Sequence, residues 1–325
     1  MEINIIFFNI FFTSILFFFL KPIAIILKLY DIPNKRKIHK DPVPLVGGLF
    51  IYFIVLLNFI TFKNFNIYIL TLSSLYFIIG LIDDAKKISA ILRLIILSII
   101  TIIFLKYFEQ FNIEFLHFFG LGKIYLYNYS IAFTALCILL FQNAMNMIDG
   151  LNGLAGGIFS IILIFILAKT GYSNDQFLIM IFLLIFFLVF NLNNKLFLGD
   201  AGIYFLSAYL ALNIIDMSNN NLIYSEEIFL IMMIPGIDMF RLFIIRIINK
   251  KNPFNPDKFH LHHLFYKKFN SNTKSLIGLI LVYGLPIFAS IITHINTFYL
   301  ILFGIISYFI VTYYLKGFTA YNKKK

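Results

Sequence analysis

Residues 129–169 read YSIAFTALCILLFQNAMNMIDGLNGLAGGIFSIILIFILAK. Two apolar runs, 129–147 and 153–169, flank a short polar turn. Each run is close to the ~20 residues that cross a hydrocarbon core of roughly 30 Å, and apolar side chains occupy every side of it, not one stripe at helical spacing. The end of the first run, the turn and the start of the second run carry Asn143, Asn146, Asp149 and Asn152 with Gly150, Gly153, Gly156 and Gly157. Polar groups at membrane depth are costly unless they do something.

The same alternation recurs outward in both directions. Apolar runs fall at 3–28, 45–62, 66–82, 91–106, 129–147, 153–169, 176–190, 201–217, 226–248, 275–294 and 297–316. Backbone polar groups cannot stay unpaired in lipid, and runs this long are not barrel strands. The expectation is an all-α, polytopic membrane protein with about eleven spanning helices. Composition agrees: of 325 residues, 61% are apolar and 13% charged, against roughly 45–50% and about 25% in a soluble domain. Mean hydropathy is +0.92. A soluble enzyme, a disordered chain and a disulfide scaffold are excluded, and the single cysteine, Cys137, permits no intrachain bridge. The first run has no basic start and no small-residue cleavage site, so it reads as an anchor.

Eleven crossings put the termini on opposite sides. With the loop at 29–44 inside, 20 Lys and Arg lie on the inner side and four (Lys63, Lys106, Lys123, Lys169) outside. That bias predicts an outer N-terminus and a cytoplasmic C-terminus. It also gives the net charge of +11 an explanation in topology, without nucleic acid. Seven of ten aspartates (Asp31, Asp41, Asp83, Asp84, Asp149, Asp200, Asp257) fall at inner loops, while the five glutamates are outside. Acids hardly affect topology, so this clustering points to chemistry at the cytoplasmic face. The outer segment 107–128 is aromatic and reads as an interfacial helix or hairpin. The whole chain reads as one membrane-embedded domain, with inner loops at about 29–44, 83–90, 147–153, 191–200 and 249–274.

Each inner loop carries a distinct set. The first, Asp31 to Gly48, mixes Lys35, Arg36, Lys37, His39 and Lys40 with prolines. The second has Asp83-Asp84, whose adjacent carboxylates repel unless a cation or a proton sits between them. They read as a Mg²⁺ site, as a proton acceptor, or as a solvated helix end. Lys87, four residues past Asp83, either pairs with it or faces a phosphate. In the third, Asn143, Asn146 and Asp149 lie three apart and so share one helix face. Their oxygens suit a hard cation or a nucleobase, whereas a small-residue packing seam accounts for the glycines alone. The fourth, Phe197-Leu-Gly199-Asp200-Ala-Gly202, puts Asp200 where it caps a helix or, between glycines, meets a ligand. The fifth holds His260, His262 and His263 behind Pro253 to Asp257. Three histidines suit Zn²⁺, phosphate oxygens or plain packing. Asp238 and Arg241, three apart in the ninth run, read as an ion pair on one helix face.

In this order, from about Asp31 to His263, the five segments resemble the polyprenyl-phosphate N-acetylhexosamine-1-phosphate transferase family, and the Pro253-to-Asp257 lead-in resembles its N-acetylglucosamine-type branch. The resemblance implies transfer of a sugar-1-phosphate from a UDP-N-acetylhexosamine to undecaprenyl phosphate, with release of UMP. That is the first step of a lipid-linked surface glycan, such as O-antigen or a teichoic-acid-like polymer. It implies Mg²⁺, replaceable by Mn²⁺, and an active site on the cytoplasmic face of the plasma membrane, in a chain compatible with a homodimer. Asp83 and Asp84 match the paired aspartates that bind metal or deprotonate the lipid phosphate. Asn146 and Asp200 match Mg²⁺ ligands, and Asp149 a further catalytic aspartate. His260, His262 and His263 match the motif facing the pyrophosphate, with Lys87 its neighbour. Asn152 and Phe197 match positions near the uracil, and Asn143 joins the substrate-binding face. Two positions depart from the family pattern: Asn152 stands where many relatives have Asp, and Ile203-Tyr204 where small or hydroxyl residues are common. A transporter or lipid flippase is the rival reading, with an inactive scaffold of the same fold behind it. Transporters place ionisable groups at midplane in repeated halves, and here only Asp238 and Arg241 lie near that depth.

Overall fold

The computed structural model describes residues 3–33, 41–171, 174–253 and 258–321, with side chains as far as Gly317. Lys35, Arg36, Lys37, His39, Lys40 and Asp257, singled out above, lie outside the described residues, as do Glu2 and Lys323 to Lys325. Among the described residues there are twelve α-helices: α1 (Ile3–Leu27), α2 (Gly47–Phe62), α3 (Ile67–Lys86), α4 (Ala90–Tyr107), α5 (Ser130–Ile148), α6 (Leu154–Thr170), α7 (Asp175–Asn191), α8 (Gly199–Asn219), α9 (Ser225–Ile248), α10 (Leu261–Phe269), α11 (Asn272–Ile292) and α12 (Thr297–Tyr321). Every apolar run has become a helix. Eight helices are long and apolar enough to cross a membrane. Three shorter apolar helices, α2, α6 and α7, have 16 or 17 residues and rise only about 25 Å.

Helix ends depart from expectation where capping chemistry decides them. Asn66 Oδ1 accepts the Tyr68 N–H (2.9 Å) and starts α3. At the other end α3 continues through Asp83 and Asp84 to Lys86, so the paired aspartates are helical and not in a loop. Lys87, at φ 50°, closes the helix by donating its N–H to the Asp83 carbonyl (2.8 Å). Helix α10 lies inside what the sequence reading took for a loop. Its Leu261, Leu264 and Phe265 recur at helical spacing and are buried, but nine residues are too few for apolar length alone to reveal. Segment 107–128 is a hairpin. Strands β3 (Phe115–Phe118) and β4 (Gly122–Tyr125) pair antiparallel, with Phe115 opposite Tyr125. A second short pair, β1 (Tyr30–Asp31) with β2 (Val43–Pro44), closes the first inner loop.

The chain packs as two compact units, one of residues 1–112 with 166–216 and the other of residues 113–165 with 217–325. In the first, α1 packs on α2, α2 on α7 and α3 on α4. Asn9 and Asn58, both buried, exchange two amide hydrogen bonds (3.0 and 2.8 Å) that lock α1 to α2. Tyr52 stacks on Phe77 at 4.0 Å. In the second unit α9 packs on α5, α11 and α12, and α10 packs on α11 and α12, which also pack on each other. The hairpin is fastened to the first turn of α9, where Glu226 accepts the Phe119 N–H (2.9 Å). Of the eight long helices α8 is the most enclosed, buried along nearly its whole length, whereas α1 is mostly exposed. Its sequence is apolar all round, as a helix without a solvent or lipid face should be.

Candidate active site

In the first unit the chemistry gathers at the start of α8. The Asp84 carboxylate accepts the backbone N–H of Asp200 (2.9 Å) and of Ala201 (3.0 Å), so a residue of α3 caps a helix that begins 115 positions later. Gly199, at φ 74°, makes the approach possible: a Cβ there would lie 2.6 Å from Asp84 Oδ2. A Cβ on Gly80 would lie 2.5 Å from the Asp200 carbonyl, and one on Gly48 would collide with the Gly202 backbone. Helices α2 and α3 thus lie against the first turn of α8, backbone on backbone. Phe197, half-buried, donates its N–H to the Pro44 carbonyl and accepts the Gly47 N–H (both 2.9 Å), which pins the 192–198 loop to the end of the first inner segment.

Asp83 is buried and accepts from three donors: the Ile88 N–H (2.8 Å), Arg93 Nη1 (2.8 Å) and the Tyr204 hydroxyl (3.0 Å). The cation that pairs with it is Arg93 and not Lys87, whose side chain is exposed. Sequence reasoning missed Arg93, although an arginine inside an apolar run is itself a signal, since it must find a partner. The structure also accounts for Tyr204, the departure from the family pattern. Its hydroxyl binds Asp83 and its ring lies 5.6 Å from the Arg93 guanidinium. Asp83, Asp84 and Asp200 come together here; Lys87 and Phe197 stand at the edge.

In the second unit the turn after α5 meets the histidines. Asn143 and Asn146 are half-buried on α5, Asp149 is the exposed residue that ends it, and Asn152 follows, half-buried. The Asn143 amide nitrogen bonds the Leu139 carbonyl (2.8 Å). A Cβ on Gly150 would collide with the His262 imidazole at Nε2, so only glycine lets the buried His262 ring lie on this turn. The rings of His260 and His262 are parallel, 8° apart with centroids at 5.8 Å, and His263 lies 4.1 Å from His262. Burial, and then positive charge on His263 and His260, hold His262 well below the ordinary histidine range, against the pull of Asp238. Near pH 7 the His262 ring is therefore held in its neutral form.

The Asp238–Arg241 pair is present at 2.8 Å, and the carboxylate does more than the sequence reading assigned to it. It also meets His260 Nδ1 (2.9 Å), the Leu261 N–H (3.2 and 3.3 Å) and the Tyr308 hydroxyl (2.8 Å). Arg241 reaches the Phe259 carbonyl and the Tyr308 oxygen, and leaves Nη1 buried without an acceptor.

Among the described residues no three His, Cys, Asp or Glu side chains are grouped as a ready metal cage. Mg²⁺ is usually held by one or two carboxylates together with substrate phosphates. Asp84 and Asp200, close enough for their like charges to interact, fit that pattern of hard oxygen donors.

A family model described as Glycosyl transferase family 4 matches residues 66–218. The chain is 31% identical over 261 residues to the undecaprenyl-phosphate alpha-N-acetylglucosaminyl 1-phosphate transferase of Thermotoga maritima, covering 80% of this chain and 79% of that one. The proteins of the same name from Yersinia pestis and Escherichia coli K12 are 29% and 27% identical over 277 and 274 residues, each match covering 79% of this chain and 75% and 74% of theirs. Fold, motif order and relatives define the class, a polytopic membrane enzyme of the phosphoglycosyl transferase type, and the transporter reading falls away. The chain belongs to glycosyl transferase family 4.

Proposed function

We propose that this enzyme transfers N-acetylglucosamine-1-phosphate, or a related N-acetylhexosamine-1-phosphate, from the UDP-sugar to undecaprenyl phosphate. An oxygen of the lipid phosphate bonds to the sugar-bearing phosphorus, the pyrophosphate bond to that phosphorus breaks, and UMP leaves. The reading rests on the names shared by relatives along four-fifths of the chain and, within the fold, on one juxtaposition: Asp84 bonded to the backbone of Asp200 at 2.9 Å. In this reading Asp84 orients the start of α8 so that Asp200 presents its carboxylate. Asp83, held by Arg93 and Tyr204, keeps the α3–α4 turn in place. Mg²⁺, when bound at Asp200 and Asp84, supplies positive charge against the diphosphate. Asn143, Asn146, Asp149 and Asn152 offer amide and carboxylate oxygens to the nucleotide-sugar or to a hard cation, and His260, His262 and His263 offer ring N–H groups to phosphate oxygens. The lysine and arginine bias of the loops supports the reading that this chemistry takes place on the cytoplasmic side of the plasma membrane.

Purified protein in nanodiscs containing undecaprenyl phosphate should release UMP from UDP-N-acetylglucosamine or a sister UDP-amino sugar. EDTA should stop the release and Mg²⁺ restore it. Mass analysis of the lipid product identifies the sugar. No UMP from any UDP-sugar in the presence of the lipid would overturn the proposal.

A further inference from the structure

Asp238 is placed like a bracket for the histidine helix. It is 1% exposed, and its carboxylate touches the N-cap ring, His260, and the first N–H of α10, that of Leu261. On the other side it is itself clamped: Arg241 Nη2 and the Tyr308 hydroxyl both donate to Oδ1 (2.8 Å each), and Arg241 Nε donates to the Tyr308 oxygen (2.6 Å). Helices α9 and α12 thereby grip α10 through a single side chain. A carboxylate facing donors on every side has only acceptors to offer, so the proton between Asp238 and His260 sits on Nδ1. That leaves Nε2 as the working nitrogen of His260. Since the His260 and His262 rings are parallel and His262 lies on Gly150, the plane of His260 is part of how the histidines meet the turn after α5.

We infer that Asp238 is a positioning residue: through Nδ1 it fixes the tautomer and plane of His260, and through the Leu261 N–H it fixes the start of α10. The inference rests on the transferase reading, in which His260 acts on phosphate. Asparagine at 238 has one acceptor instead of two. With its oxygen turned to Arg241 and Tyr308, its NH₂ faces Nδ1 and demands the opposite tautomer.

In nanodiscs with UDP-N-acetylglucosamine and undecaprenyl phosphate, Asp238→Asn should lower kcat by about 10- to 100-fold, the usual effect of losing an outer-shell partner, with little change in KM for the UDP-sugar. Placed in a His260→Ala background, the same change should cost far less than it does alone, because the route through the ring is already lost and the asparagine oxygen still accepts the Leu261 N–H. Losses that multiply in the double variant, or full activity of Asp238→Asn, overturn the inference. A second measurement needs neither turnover nor a folded variant. In ¹⁵N-histidine-labelled wild-type protein, the His260 ring should show a protonated Nδ1 and, at high pH, an unprotonated Nε2. The reverse tautomer overturns the inference even where activity is normal. A wild-type protein that turns over no UDP-sugar sinks the transferase reading instead, and the ring spectrum still decides the positioning.

Discussion

At the scale of single residues, the site is shaped by what each polar group bonds to and not by its charge alone. Asp83 and Asp84 are neighbours in sequence and have different work: one is enclosed by Arg93, Tyr204 and the Ile88 N–H, the other caps α8. His262 is 3% exposed, and its lowered basicity has a thermodynamic consequence. An unfolded chain takes up a proton at this position below about pH 6.5, while the folded protein refuses it until the pH falls further. Stability contributed by His262 is thus present above that value and drains away as the pH falls toward the folded value, with a slope of up to about 1.4 kcal/mol per pH unit. Thermal unfolding in detergent should therefore weaken less between pH 6.5 and 5.5 in His262→Gln than in the wild type. Parallel decline in the two would show that His262 is not the group refusing the proton.

At the scale of elements, the first turn of α8 is assembled from three helices. Gly199 holds a left-handed backbone, with Asp84 Oδ2 2.6 Å from where a Cβ would stand. Gly199→Ala should lower stability by about 1–3 kcal/mol from backbone strain alone and push Asp84 off the Asp200 N–H. Reduced melting temperature together with lost UMP release is the expected result; an alanine variant with normal melting and turnover would mean that the turn tolerates a side chain. The short α10 shows the same dependence on neighbours. Nine residues are too few to form a stable helix in water, and α10 stands because α11 and α12 cover its apolar side and Asp238 caps it.

For the whole molecule, the charge bias predicts which loops face the cytoplasm. In a Cys137→Ala background, Lys123→Cys in the hairpin should react with a membrane-impermeant maleimide added to intact cells. Lys195→Cys, between α7 and α8, should react only after the membrane is opened. Labelling of both from outside would reverse or break the topology on which the cytoplasmic site depends. Exposed tyrosines at 125, 127 and 129 beside the hairpin suit the headgroup region, where aromatic residues with a polar tip are favoured.

Eleven apolar helices, eight of them long and apolar enough to cross a membrane, and the five polar inner segments were determined by the sequence alone, because a run that must be apolar on all sides leaves its mark residue by residue. Even the shared face of Asn143 and Asn146 followed from helical spacing, since both lie on α5. Only the tertiary structure decided the partners. Arg93 took Asp83 where Lys87 was nearer in the chain, Asp84 went to the α8 terminus, and Asp238 reached past Arg241 to His260 and Tyr308. These are contacts between residues 10 to 116 positions apart. Hydrophobic periodicity is a local property, whereas the partner of a buried charge is set by which helices pack together, and no spacing along the chain records that.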